Sequence, residues 1–140
     1  MSGMKTFFLA GTTTISFLCT YFMNLTMNHS EQYLAVVAVA LLDGFFGVIA
    51  GIKREGFKTY KALKVLQTIV VWIVFLTTLL IIEQAFPGTD WLSETIIFPF
   101  IFFQMISALK NASMAGFIEA KLLTQILDKI DLHKGERKKD

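Results

Sequence analysis

The chain has 140 residues, 54% of them apolar, with fourteen Phe and only 17% charged; thirteen Lys and Arg stand against eleven Asp and Glu. One domain fits that length and two ordinary ones do not. A soluble globule this small has too little interior to hide so much aliphatic and aromatic surface, so the composition excludes an ordinary soluble domain and points to a bilayer, where apolar faces turn outward. The single cysteine, Cys19, lies in an apolar run and has no partner for a disulfide or a thiolate metal cluster; it reads as a small apolar residue.

The chain opens with Met1, Ser2, Gly3, Met4 and Lys5, followed by an apolar stretch that reaches Met23 without an Ala-x-Ala-like cleavage site. This stretch reads as a retained membrane span from Thr6 to Met23 rather than a signal peptide. Crossing about 30 Å of hydrocarbon at about 1.5 Å per residue takes roughly twenty apolar residues. Three further segments meet that length: Tyr33 to Ile52, Val65 to Ile82 and Trp91 to Leu109. Helical spans are expected, because backbone groups left unpaired in lipid are costly and no segment alternates like a barrel strand. The connections, Asn24 to Gln32, Lys53 to Lys64 and Glu83 to Asp90, are short enough to make neighbours antiparallel, and Phe86-Pro87-Gly88 is a turn signal.

Charge predicts the orientation. Lys5 precedes the first span, Lys53, Arg54, Lys58, Lys61 and Lys64 fall between the second and third, and all other basic residues follow the fourth. The remaining two connections carry only Glu31, Glu83 and Asp90, with Glu94 just inside the fourth span. The positive-inside rule then places both termini in the cytoplasm. The expected fold is all-α: four transmembrane helices over residues 1–110, then a cytoplasmic amphipathic helix and charged tail over 111–140.

The polar residues of the first span, Thr12, Thr13, Thr14, Ser16 and Thr20, and Gln104 and Ser107 of the fourth predict helix faces that meet protein or water. Single hydroxyls are weak markers, since they often bond back to their own helix. The second span carries Ala40, Gly44, Gly47 and Gly51 along one face, a stripe that lets another backbone approach closely, either within the chain or between copies. Asp43 lies beside the stripe and is expected near the middle of the bilayer. With no Lys or Arg in any span, it must be protonated, wet, or hydrogen-bonded to groups such as Thr12, Thr13, Ser16, Gln67 or Gln104. Its role is read as helix packing or the lining of a lumen.

Between the second and third spans, Lys58, Lys61 and Lys64 alternate with Phe57, Tyr60 and Leu63; together with Lys53 and Arg54 they form an interfacial basic segment suited to headgroups, although topogenic charge alone also explains them. After the fourth span, Ala115, Ile118, Leu122, Leu123, Ile126, Leu127 and Ile130 recur at helical spacing between Gly116 and Gly135. The polar face of this helix mixes signs, with Glu119, Lys121, Asp128, Lys129 and Asp131, which favours packing on protein over lying on anionic lipid. Lys134 to Asp140 reads as a charged, disordered tail. No phosphate-cradling loop, nucleophile elbow, zinc spacing or redox pair is present, so nothing supports an enzyme, a cofactor or a nucleic-acid partner. His29 and His133 are isolated, and Asn24-Leu25-Thr26 and Asn111-Ala112-Ser113 match a glycosylation sequon that is common by chance.

Leu42-Asp43-Gly44-Phe45-Phe46-Gly47, then Ala50, Lys53 and a basic segment ending at Lys64, resembles the core of a bacteriophage holin family that also includes toxin-secretion and lysis holins. Phe103 to Asn111, with Gly116 and the closing amphipathic helix, resembles that family's second half, and the likeness covers about Leu34 to Ile130. Gln104 and Lys110 stand where the family usually has Glu, and Thr59 stands near its usual Ser. The resemblance implies a homo-oligomer that accumulates in the bacterial inner membrane, contacts lipid and opens lesions releasing or activating an endolysin, with an antiholin as a further candidate partner. The alternatives are a small four-span carrier or flippase subunit using Asp43 and Glu94, and an antiholin-like regulator of a lysis protein.

Overall fold

The structure, a computed structural model, describes residues 1–136, and among these every regular element is helical. The elements are α1 (Ser2–Asn28), α2 (Ser30–Glu55), α3 (Thr59–Ala85), α4 (Leu92–Met114) and α5 (Ala120–Glu136). Four helical segments, Gly3–Asn28, Ser30–Glu55, Thr59–Ala85 and Leu92–Met114, are long and apolar enough to cross a membrane. The four expected spans are therefore present, each longer than its apolar stretch. Polar residues at the ends of the stretches extend the helices, so that His29 alone separates α1 from α2 and only Gly56, Phe57 and Lys58 separate α2 from α3.

The chain divides into two units, Met1–Leu34 and a larger one beginning at Ala35. In the first unit, α1 is exposed from Gly3 to Thr20. Thr12, Thr13, Thr14, Thr20 and Thr26 all donate to carbonyls three or four residues back, at 2.6–3.1 Å. Their hydroxyls are satisfied inside the helix. They need neither the protein nor the water that their number alone predicts.

In the second unit, α2, α3 and α4 pack on one another. The buried side chains are Val36, Val39, Ala40 and Ala50 of α2, Ile69, Leu76, Leu79 and Leu80 of α3, and Ile97, Phe100, Ala108 and Ala112 of α4. Trp72 of α3 stacks on Phe100 of α4 with ring centroids 3.7 Å apart. Ala108 and Ala112 form a small-xxx-small pair in α4, and both are buried. Where lipid replaces water, such contacts stabilise through close packing and dispersion rather than through removal of apolar area from water.

Three glycines with positive φ shape the helix ends. Gly56 (φ 81°) ends α2 with one bond from its N–H to the carbonyl of Ile52 at 3.1 Å. Gly88 (φ 90°) follows Pro87 in a turn closed by Thr89 N–H donating to the Phe86 carbonyl at 3.3 Å, the arrangement of a type II turn. Gly116 (φ 87°) ends α4: its N–H donates to the Ser113 carbonyl at 3.0 Å, and the N–H of Phe117 to the Ala112 carbonyl at 2.9 Å. These paired bonds make a Schellman motif.

That motif moves the boundary of the last helix. The periodicity predicts an amphipathic helix already under way at Ala115, but α4 runs past Leu109 to Met114, Ala115 caps it, and Ile118 lies in the connection before α5. At its other end α5 continues through Gly135 to Glu136 instead of yielding to the expected disordered tail at Lys134. The rest of that tail, residues 137–140, lies outside the described residues.

Candidate functional site

The small-residue stripe of α2 faces helices of the same chain. A Cβ placed on Gly44 would collide with Val65 of α3, meeting its Cγ2 at 2.6 Å. On Gly47 it would lie 3.3 Å from Asn111 Nδ2 of α4, and on Gly51 3.2 Å from Lys61 Nζ of α3. Ala40 at the other end of the stripe is buried. Each glycine therefore leaves room for a side chain from a neighbouring helix, which is the use that small residues have between membrane helices.

Asp43 is half-buried beside this stripe, and Asn111 Nδ2 donates to its Oδ1 at 2.8 Å. Of the partners foreseen for Asp43, Gln104 lines the same cleft, of about 430 Å³, between α2, α3 and α4. Tyr60, Lys61 and Lys64 from the first turns of α3 also line that cleft. Asp43 therefore faces the lysine-bearing end of α3, although none of the four apolar stretches carries a basic residue. Asn111 is the residue that sequence reasoning missed. Gln104, Ser107 and Asn111 are spaced three and four apart and so share one face of α4, the signal that could have revealed it.

The basic segment divides its labour. Lys53 Nζ donates to the carbonyl of Ala115, so this lysine closes the end of α4. Lys58 pairs with Glu55 at 2.6 Å, and the nearby carboxylate raises the lysine's affinity for its proton. Lys61 lies 3.5 Å from the same carboxylate. These last two pairs are exposed enough to contribute little stability. Arg54 and Lys64 are exposed.

At the opposite end of α4, Glu83 Oε1 of α3 accepts the backbone N–H of buried Ser93 at 2.5 Å. Thus α4 is capped at both termini by side chains from other helices. A carboxyl group accepts from an amide of its first turn and an ammonium donates to the carbonyl of its C-terminal cap, the signs that a helix dipole favours.

On α5, Leu122 is exposed, and Leu123, Ile126, Leu127 and Ile130 are half-buried. Ile126 and Ile130 border an apolar cavity of about 680 Å³ with Phe98, Pro99, Phe102 and Phe103 of α4. Among the described residues no group of three or more His, Cys, Asp or Glu could hold a metal ion.

Neither curated proteins nor solved structures give a match to the chain. A family model does: the one described as the bacteriophage holin family matches residues 10–131. That span includes the Asp43 cleft, both caps of α4 and most of α5. A match over most of the length, on an all-helical chain with four helices able to cross a membrane, shows that this protein belongs to the bacteriophage holin family.

Proposed function

We propose that this multi-pass protein accumulates in the bacterial inner membrane with both termini in the cytoplasm, associates with copies of itself, and permeabilises the membrane so that an endolysin is released or activated. The family match over residues 10–131 carries this reading. The charge asymmetry of the connections supports the orientation. An antiholin and surrounding lipid are the further partners.

The geometry is consistent with a monomer that is stable in lipid before it assembles. The threonines of α1 are bonded within their helix, Asp43 has Asn111, and the Ala115 carbonyl at the end of α4 has Lys53. Much of the exposed surface of α3 is apolar, with Leu63, Leu66, Val70 and Val74 among its residues. Such faces give no hydrophobic drive to associate in a bilayer, so assembly must come from packing and interhelical polar contacts as copies accumulate.

In this reading Ala40, Gly44, Gly47 and Gly51 pack helices within each copy first. Contacts between copies fall to surfaces that remain open, among them the mixed-charge face of α5 and its half-buried Leu123, Ile126, Leu127 and Ile130. Gln104, which stands where the family usually has Glu, leaves Asp43 as the sole acid lining the cleft.

Induced expression in bacteria, with and without a co-expressed endolysin, tests the proposal. Abrupt depolarisation and dye entry after a delay, with culture lysis only when the endolysin is present, is the expected result. Intact potential and continued growth at high protein levels would refute it.

A further inference from the structure

We infer that the cleft between α2, α3 and α4 binds a phospholipid headgroup that carries both a phosphate and a primary ammonium. The volume of about 430 Å³ suits a small ligand, and the lining offers both signs of charge. Tyr60, Lys61 and Lys64 supply a phenol and two ammonium groups from the first turns of α3, and Asp43, Gln104 and Thr68 supply oxygen acceptors.

The groups are not fully committed to one another. Asn111 occupies Asp43 Oδ1, whereas Oδ2 takes no protein hydrogen bond among the described residues. A half-buried carboxyl oxygen without a partner favours a cationic donor. Lys61 is shared with Glu55 at 3.5 Å, and Lys64 is exposed with no carboxylate of the described residues in ion-pair range. Lys64 and Tyr60 can therefore take a phosphate while Asp43 takes the ammonium.

A primary ammonium fits because each of its three N–H donors needs an acceptor. A trimethylated ammonium has no donor, and a glycerol headgroup has no cation. The source of the ligand is a lipid because the cleft adjoins an apolar strip. At 100° per residue, Val71 and Phe75 continue the face of Tyr60, Lys64 and Thr68 along α3, and both are about half exposed. Acyl chains can lie along that strip while the headgroup enters past Tyr60.

The test uses the full chain in neutral detergent, with phosphatidylethanolamine, phosphatidylcholine or phosphatidylglycerol of matched acyl chains added singly and retention read by native mass spectrometry. Phosphatidylethanolamine should be retained several-fold over the other two. Asp43→Asn should bring phosphatidylethanolamine down to the level of phosphatidylglycerol, and Lys64→Gln should lower all three phosphate lipids together. Equal retention of all three lipids by the unaltered protein would overturn the inference, as would a preference that survives both substitutions. Soluble phosphoethanolamine at the lipid's concentration should not displace it; displacement would assign the site to a soluble ligand and overturn the lipid source. Should Asp43→Asn not fold, the three-lipid comparison and Lys64→Gln, at an exposed position, still decide. Retention is read without opening a membrane, so its failure is distinguishable from a failure of the permeabilising role.

Discussion

Asn111 Nδ2 donates to Asp43 Oδ1 at 2.8 Å, a hydrogen bond that ties α4 to α2 across 68 positions of the chain. It gives a half-buried acid a defined partner and fixes the level at which the two helices meet. Removing only the donor, with Asn111→Ala, strands the carboxyl oxygen and should cost about 1–3 kcal/mol of stability. Adding Asp43→Ala to that variant should cost less than the sum of the two single changes. Thermal unfolding of the four proteins in one detergent measures the coupling, and strict additivity would show that the pair contributes nothing.

At Gly44, α2 lies so close to α3 that a Cβ there would strike the side chain of Val65. Gly44→Ala should destabilise by about 1–3 kcal/mol, the usual range for overpacking. Val65→Ala should recover much of that loss by clearing the space. Gly11→Ala is the control, since nothing lies within 4 Å of a Cβ there. Melting temperatures check the series, and equal effects at Gly44 and Gly11 would remove the close approach from the account.

The two glycines that end α2 and α4 should respond unequally to alanine. Gly56→Ala meets backbone strain alone, because its added Cβ finds open space at φ 81°. That strain is worth about 1 kcal/mol. Gly116→Ala has a similar φ and also places a Cβ 3.2 Å from Lys53 Nζ, disturbing the ammonium that closes α4. It should be the more harmful of the two, and hydrogen exchange at Gly116 and Phe117, the donors of the closing turn, should speed up.

Glu83→Ala should release the first turn of α4. The loss of a side-chain cap costs about 0.5–2 kcal/mol, and here a carboxyl group of the sign favoured by the helix dipole is lost with it. Faster exchange at the Ser93 amide, with little change near Asn111, is the expected signature. Glu83→Gln keeps an acceptor oxygen and should fall between the two.

Hydropathy made the four long helices legible because lipid demands unbroken apolar length. Their ends were less so: Lys53, Arg54 and Glu55 are polar but still helical, and only the positive φ of Gly56 stops α2. The offset at the start of α5 has a similar cause, since Ala115 and Ile118 continue the apolar spacing across a helix stop that Gly116 imposes on the backbone. The stripe from Ala40 to Gly51 was readable as a place of close approach, but the identities of Val65, Asn111 and Lys61 as its neighbours depend on tertiary register. The same holds for Asp43 with Asn111 and for Glu83 with Ser93, pairs joined by packing rather than by local spacing. Lys53 looked interfacial because its charge is visible in the sequence and the carbonyl it bonds is not.

The central claim is that this chain permeabilises a membrane by itself. The purified protein, reconstituted into sealed vesicles at increasing protein-to-lipid ratio and loaded with small and protein-sized fluorescent markers, tests it most directly. The account predicts that vesicles stay tight at low density and release their contents above a threshold. Vesicles that retain even the small marker at the highest density, with the protein shown to be folded and inserted, would contradict it.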